Sequence, residues 1–130
     1  MLGVSWTRPT VTFGSTATVD VEVVYTKAAI ARGLMYRRDL APNAGMLFIL
    51  DAIKDHKFWM RNTYIPLDII FITPDFKVAG VAANATPLTD TPRSIGQPSL
   101  YVVEVNAGWC AANNITANTP VSFSEETLNS

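Results

Sequence analysis

The stretch Leu67-Asp68-Ile69-Ile70-Phe71-Ile72-Thr73 limits what this chain can fold into more than any other. Its residues are β-branched, aromatic or aliphatic, with almost no alternation between apolar and polar positions. That pattern marks a strand covered on both faces rather than one with a wet side. Pro66 breaks the apolar run ahead of it, and Thr73-Pro74-Asp75 is a turn signal behind it. The chain then returns as Phe76 to Ala83, so the spacing predicts a hairpin.

Shorter signals surround this core strand. Val19, Val21 and Val23 alternate with Asp20 and Glu22, the period of a half-buried strand. Thr26 can cap a helix over Lys27 to Arg32, and Gly33 can end it. A helix that short needs packing to hold it. Gly45 to Leu50 is an apolar run and predicts a buried strand, and Lys57 to Met60 predicts another. Ala85 to Pro98 carries three prolines and reads as a long surface loop, a common place for function. Tyr101, Val103 and Val105 share one face of a further strand. Ala107 to Ala112 suits a helical turn, and Pro120 to Phe123 closes the set. The expected architecture is mainly β, a single compact β-sandwich or barrel-like domain with one or two short helices. Residues 1–17 are expected to be a loosely ordered N-terminal segment, with a short strand at Thr10 to Phe13. Residues 18–124 form the β-rich domain, and residues 125–130 a fraying tail.

Composition supports a folded domain and narrows its partners. The chain has 130 residues, 48% of them hydrophobic and 16% charged, enough to build one core without disulfides. Ten basic residues against eleven acidic ones leave a net charge of −1, which gives no electrostatic reason to expect nucleic acid. No apolar run reaches the roughly 20 residues of a membrane helix. Cys110 is the single cysteine, so no intrachain disulfide can form. The first residues lack the pattern of a signal peptide. The protein is therefore expected in the cytoplasm, or in the periplasm or outside if a leader has been removed.

Four blocks carry a resemblance. They are Arg32-Gly33-Leu34-Met35-Tyr36-Arg37, Gly45-Met46-Leu47-Phe48, the segment from Phe58 to Ile72, and Tyr101 to Val105 with Ala107-Gly108. Over about residues 19 to 123 their order and spacing resemble domain of unknown function family 192, a bacterial and archaeal family. The resemblance implies a jelly-roll-like β domain with no established activity and a tendency toward export. Two positions depart from the family pattern. Phe76 stands where glycine is frequent, so Thr73-Pro74-Asp75 is expected to supply a different turn. Asn118-Thr119 stands where a Gly-Asp pair is frequent, and Asn tolerates the left-handed backbone.

Asp68 is the sharpest candidate for chemistry. A carboxylate inside an apolar strand must be paired or hydrogen-bonded, or must serve a ligand. Arg61 or Arg37 could pair with it, or loop N–H groups could donate to it. Arg61, Asn62 and Thr63 are polar residues set in an apolar frame, as in a small-molecule pocket. Trp59 could stack on a sugar or sit in the core. Glu104 shares a face with Val102, in a groove or partly buried. His56, the single histidine, has no nucleophile beside it in sequence, and neither the methionines nor Cys110 show a metal spacing. No cofactor motif occurs, and neither a metal nor a cofactor is expected.

Three functions of different class follow. The first is a non-catalytic module binding an anionic metabolite or saccharide beside Arg61, Asn62 and Asp68. The second is a small hydrolase-like enzyme using Asp68 and Glu104 as a carboxylate pair. The third is a protein-interaction domain marked by a flat apolar patch. The sequence sets no oligomeric state.

Overall fold

A computed structural model describes residues 8–128 and places Leu67–Ile72 in a strand whose six residues are all buried. This strand, β4, is covered on both faces, with Ile70 and Ile72 in one core cluster and Ile69 and Phe71 in another. In chain order the elements are β1 (Thr10–Phe13), β2 (Ala17–Val24), α1 (Lys27–Arg32), β3 (Ala44–Lys54), β4, β5 (Val78–Ala85), β6 (Ser99–Asn106), α2 (Trp109–Ala112), β7 (Val121–Phe123) and α3 (Glu125–Leu128). The seven strands make one mixed sheet in the order β5-β4-β6-β3-β2-β1-β7. All pairings are antiparallel except β2 with β3, which are parallel and joined across α1.

The sheet curls into a half-barrel, the barrel-like form of the expected architecture. Every strand contributes to one core cluster, which includes Phe13, Val21, Leu47, Ile70, Val78, Val105 and Val121. The two edge strands approach each other at one end. Val78 N–H donates to Thr119 O at 2.9 Å, Asn118 N–H to Val78 O at 2.7 Å, and Val121 N–H to Phe76 O at 2.9 Å. The outer face of β3, β4 and β6 carries the other cluster, with Phe48, Ile69, Phe71 and Val102. That face is covered by Leu34, Met60 and Ile65 from connecting segments rather than by a second sheet.

Gly45 is where the sheet needs the smallest residue. A Cβ there would stand 2.3 Å from the Glu104 carbonyl oxygen, closer than atoms can approach.

Several elements differ from the sequence expectations. Lys57 to Met60 does not join the sheet. Phe58 makes an isolated bridge with Arg93, and Met60 N–H donates to Thr89 O at 2.9 Å, so the proline-rich loop supplies its partners. The N-terminal segment is held firmly from Thr10 onward: β1 pairs with both β2 and β7, and Val11 and Phe13 are buried. Residues 1–7 and 129–130 lie outside the described residues. The expected fraying tail is instead a helical turn from Glu125 to Leu128. Its buried Thr127 donates to Thr10 O at 3.0 Å.

Phe76 does not avoid the conformation glycine favours; it adopts it, with φ of 63°. The non-glycine strain is offset by its ring, which stacks on Tyr101 at 5.6 Å and meets Phe123 edge-on at 5.2 Å. Asn118 also sits at positive φ, 72°.

Candidate functional site

α1 begins as its sequence suggests, with Thr26 Oγ1 accepting from Ala29 N–H at 3.1 Å. Gly33 ends the helix at φ 49° and turns the chain inward, so that Leu34 drops into the outer cluster. The helix has no fully buried residue of its own and stands off the sheet. Between it, β3, β6 and the segment from His56 to Thr63 lies a cavity of about 360 Å³. Its walls are mainly apolar, formed by Ile30, Leu34, Phe48, Leu50, Phe58 and Trp59. A shallower depression of about 250 Å³ adjoins it and shares Ile30, Ala31, Leu50 and His56.

Five polar or charged residues also line the cavity: Glu104, Thr63, His56, Arg32 and Lys57. Glu104 is 4% exposed and lies opposite Met46 on β3 and Ile69 on β4. Directly opposed strand residues point to the same face, so its side chain shares the outer face with Ile69. No hydrogen bond or ion pair to its carboxyl occurs among the described residues. Burial without a counter-charge pushes its pKa up to about 8. Thr63 is buried, and its hydroxyl donates to Arg61 O at 3.0 Å. The His56 Nε2 lies 2.7 Å from Ala52 O. A carbonyl only accepts, so Nε2 carries a proton and donates it to Ala52 O.

Asp68 is elsewhere. It opposes Val105, so it points to the inner face, away from Glu104. Its Oδ1 accepts from Asn84 N–H at 2.9 Å, and its Oδ2 from Gly108 N–H at 3.1 Å and Cys110 N–H at 3.0 Å. Asn84 has φ 54° and lies where the β4–β5 register slips, so one oxygen holds a β-bulge. The other oxygen caps α2, whose own N-cap residue is Gly108 and has no side chain to do so. Burial, followed by the nearby Asp68 carboxylate, pushes the Cys110 thiol well above its ordinary pKa. Of the partners considered for Asp68, the backbone N–H groups are the ones it uses, and neither arginine reaches it.

The arginines are committed to other carboxylates. Arg37 makes a two-pronged pair with Glu22, with Nη2 to Oε1 at 2.8 Å, and this hydrogen bonding holds the Glu22 carboxyl below its usual range. Arg61 grips Asp90 through Nε at 3.1 Å and Nη2 at 2.9 Å and lowers the Asp90 pKa in the same way. The Arg61 guanidinium also lies 3.9 Å from the centre of the Trp59 ring. Trp59 is therefore not a core residue; it is 43% exposed, at the cavity wall. Asn62 takes φ 53° and its Nδ2 donates to Tyr36 Oη at 2.9 Å, which makes it a turn residue.

Of the seven candidates from sequence, the cavity gathers Trp59, Thr63 and Glu104; Arg61, Asn62, Asp68 and Arg37 do not line it. Asp68 lies on the other face of the sheet from the cavity, and Arg61 borders the cavity only through its stack on Trp59. The carboxylate-pair enzyme loses its geometry as well, because Asp68 and Glu104 lie on opposite faces of the sheet. Sequence reasoning missed Leu34, Phe48 and the flank of α1 as cavity walls. Their apolar spacing indicated only burial. Among the described residues no cluster of three or more His, Cys, Asp or Glu side chains could hold a metal ion. No described helix is long and apolar enough to cross a membrane.

Fold and site together define a barrel-like, single-sheet β domain with an acid-lined apolar cavity on its outer face. The chain belongs to domain of unknown function family 192, described as uncharacterized ACR, whose profile matches residues 10–123. All four sequence blocks that carry the resemblance contribute to the cavity, through Arg32 to Met35, Phe48, Phe58 with Trp59 and Thr63, and Glu104. One similar solved structure is a protein of unknown function from Novosphingobium aromaticivorans DSM 12444. It is 40% identical, with a TM-score of 0.82, covering 87% of this chain and 83% of the other. Another, from Sinorhizobium meliloti 1021, is described as a "putative transcription regulator". It is 31% identical, with a TM-score of 0.84, covering 92% of this chain and 96% of the other. No curated protein matches the chain.

Proposed function

We propose that this domain is a non-catalytic binding module for a small, largely apolar ligand, held in the cavity between α1, β3, β6 and the His56–Thr63 segment. The observation that carries this is the convergence of all four family-resembling blocks on one concave site. Core packing alone does not ask four separated segments to leave about 360 Å³ open around a buried acid. A volume of this order is at the small end of ligand sites.

An anionic metabolite is disfavoured, because Arg37 and Arg61 are engaged by Glu22 and Asp90, the lining cations Arg32 and Lys57 lie against Tyr36 and Asp55, and the cavity contains an acid. A saccharide stacked on Trp59 would compete with the Arg61 guanidinium for a ring face. The regulator description of the Sinorhizobium relative would call for a basic face if it acted on nucleic acid, and the net charge of −1 offers little support.

The test is a fragment screen by protein-detected NMR. Fragments that bind are expected to shift the amides of Leu34, Phe48, Phe58, Trp59 and Glu104. Ala31→Trp, at an exposed position on the cavity rim, should block them while the protein stays folded. Fragments that cluster elsewhere, or bind the blocked variant equally well, would refute the assignment.

A further inference from the structure

We propose that the cavity selects a protonated amine, a small ammonium ligand with an apolar body, and that Glu104 is its counter-ion. This rests on the cavity being a binding site and names the chemistry that site would take.

The first support is a buried acid without a partner. Glu104 is 4% exposed, lines the cavity, and has no hydrogen-bonding or ionic partner among the described residues. Isolated buried carboxylates are costly, and a native structure that keeps one usually has a use for it. Two cationic residues, Arg32 and Lys57, also line the cavity, but both charges are engaged elsewhere. The Arg32 guanidinium sits 5.5 Å from the centre of the Tyr36 ring, and Lys57 Nζ lies 3.7 Å from Asp55. Neither is paired with Glu104, so a ligand cation can supply the counter-charge when the carboxyl ionises.

The remaining polar atoms point to the same partner. The Thr63 hydroxyl has given its proton to Arg61 O, so what it can offer is an acceptor. His56 spends its Nε2 proton on Ala52 O, so that nitrogen offers the ligand no donor. Thr63, and Glu104 once it ionises, thus offer acceptors to a ligand that donates, and an ammonium group carries three donors. The walls include Phe48, Phe58 and Trp59, whose ring faces attract a cation and whose edges pack on its hydrocarbon part. A carboxylate or phosphate ligand would meet the Glu104 carboxyl and find Arg32 and Lys57 already against Tyr36 and Asp55. A neutral carbonyl or hydroxyl ligand could take a proton from neutral Glu104, and this is the competitor the experiment must separate.

The experiment uses three probes of one shape: 2-phenylethylamine, 2-phenylethanol and 3-phenylpropanoate. Each is titrated into wild type, Glu104→Gln and Ala31→Trp, followed by amide shifts in two-dimensional NMR near pH 8. In wild type the amine should bind about tenfold or more tighter than the alcohol, as expected for a charge-assisted contact in a desolvated site. Glu104→Gln should abolish that preference and leave alcohol binding within about threefold, because the side-chain shape is kept. If the alcohol or the propanoate binds at the cavity as well as the amine, or Glu104→Gln binds the amine like wild type, the amine assignment is wrong while the cavity assignment stands. If no probe shifts the cavity amides, or Ala31→Trp binds all as wild type does, both assignments fall. Should Glu104→Gln fail to fold, the ranking of the three probes on wild type still decides.

Discussion

Replacing Glu104 with glutamine keeps the shape of the side chain and removes its charge, so it isolates the cost of ionising that group in the core. The carboxyl has a pKa of about 8 in the fold, against an ordinary value of 4.5. The folded state therefore holds this proton more tightly than the unfolded chain does. Below pH 4.5 both states are protonated and no penalty exists. As pH rises above 4.5 the unfolded chain releases the proton first, and stability falls by about 1.4 kcal/mol per pH unit. The loss reaches about 3 kcal/mol at pH 7 and levels off near 5 kcal/mol above pH 8. Urea denaturation of wild type and Glu104→Gln across pH 4.5 to 9 measures this directly. Other titrating groups are common to both proteins and cancel in the difference. Any cost of burying the glutamine amide is constant with pH. The expected result is a difference curve that rises in favour of Glu104→Gln between pH 5 and 8 and is flat beyond. A pH-independent difference would refute the claim that Glu104 is buried without a counter-charge. So would a variant that loses ground as pH rises.

Asp68→Ala should cost about 3 to 5 kcal/mol by urea denaturation, since three buried or half-buried N–H groups lose a charged acceptor. Hydrogen exchange should speed up first at Asn84, Gly108 and Cys110, and unchanged exchange there would contradict the capping role. Gly45→Ala should lower stability by about 1 to 3 kcal/mol, because the added methyl meets backbone rather than a side chain that can turn away. A thermal melt matching wild type would mean the strands can separate at no cost. Arg61→Ala should leave both the melting temperature and the binding of cavity ligands nearly unchanged, since its pair with Asp90 is exposed. A large loss of affinity would return Arg61 to the site.

The parts of the fold legible in sequence are those fixed by neighbours along the chain. Leu67–Ile72 announced double coverage by composition alone, Val19, Val21 and Val23 by their period, and α1 by Thr26 and Gly33. Lys57 to Met60 misled because an apolar run shows burial without showing what buries it. Here the partners are loop residues near Thr89 and Arg93. Asp68 was recognisable as a carboxylate that must be satisfied, but its donors come from two later segments, as far away as Cys110. Arg61 sits 29 residues from Asp90 and Arg37 sits 15 from Glu22, with no local pattern linking either pair. Glu104 was legible as a groove residue from its shared face with Val102. That it would stand without a counter-ion depends on the absence of side chains from every other element, which no single segment encodes.

The meeting of the sheet edges bears on how the chain is made. Thr10 N–H is bonded to Ser124 Oγ, 114 positions later, and Val78 takes its partners from Asn118 and Thr119. During synthesis β1 emerges before β7 and waits for it. Until residues 118–127 leave the ribosome, β1 and β5 both present open ladders that could recruit a neighbouring nascent chain. Such long-range pairing slows folding. The segment 118–127 therefore acts as a latch, and the interval before it arrives is when the domain is most exposed to misassembly.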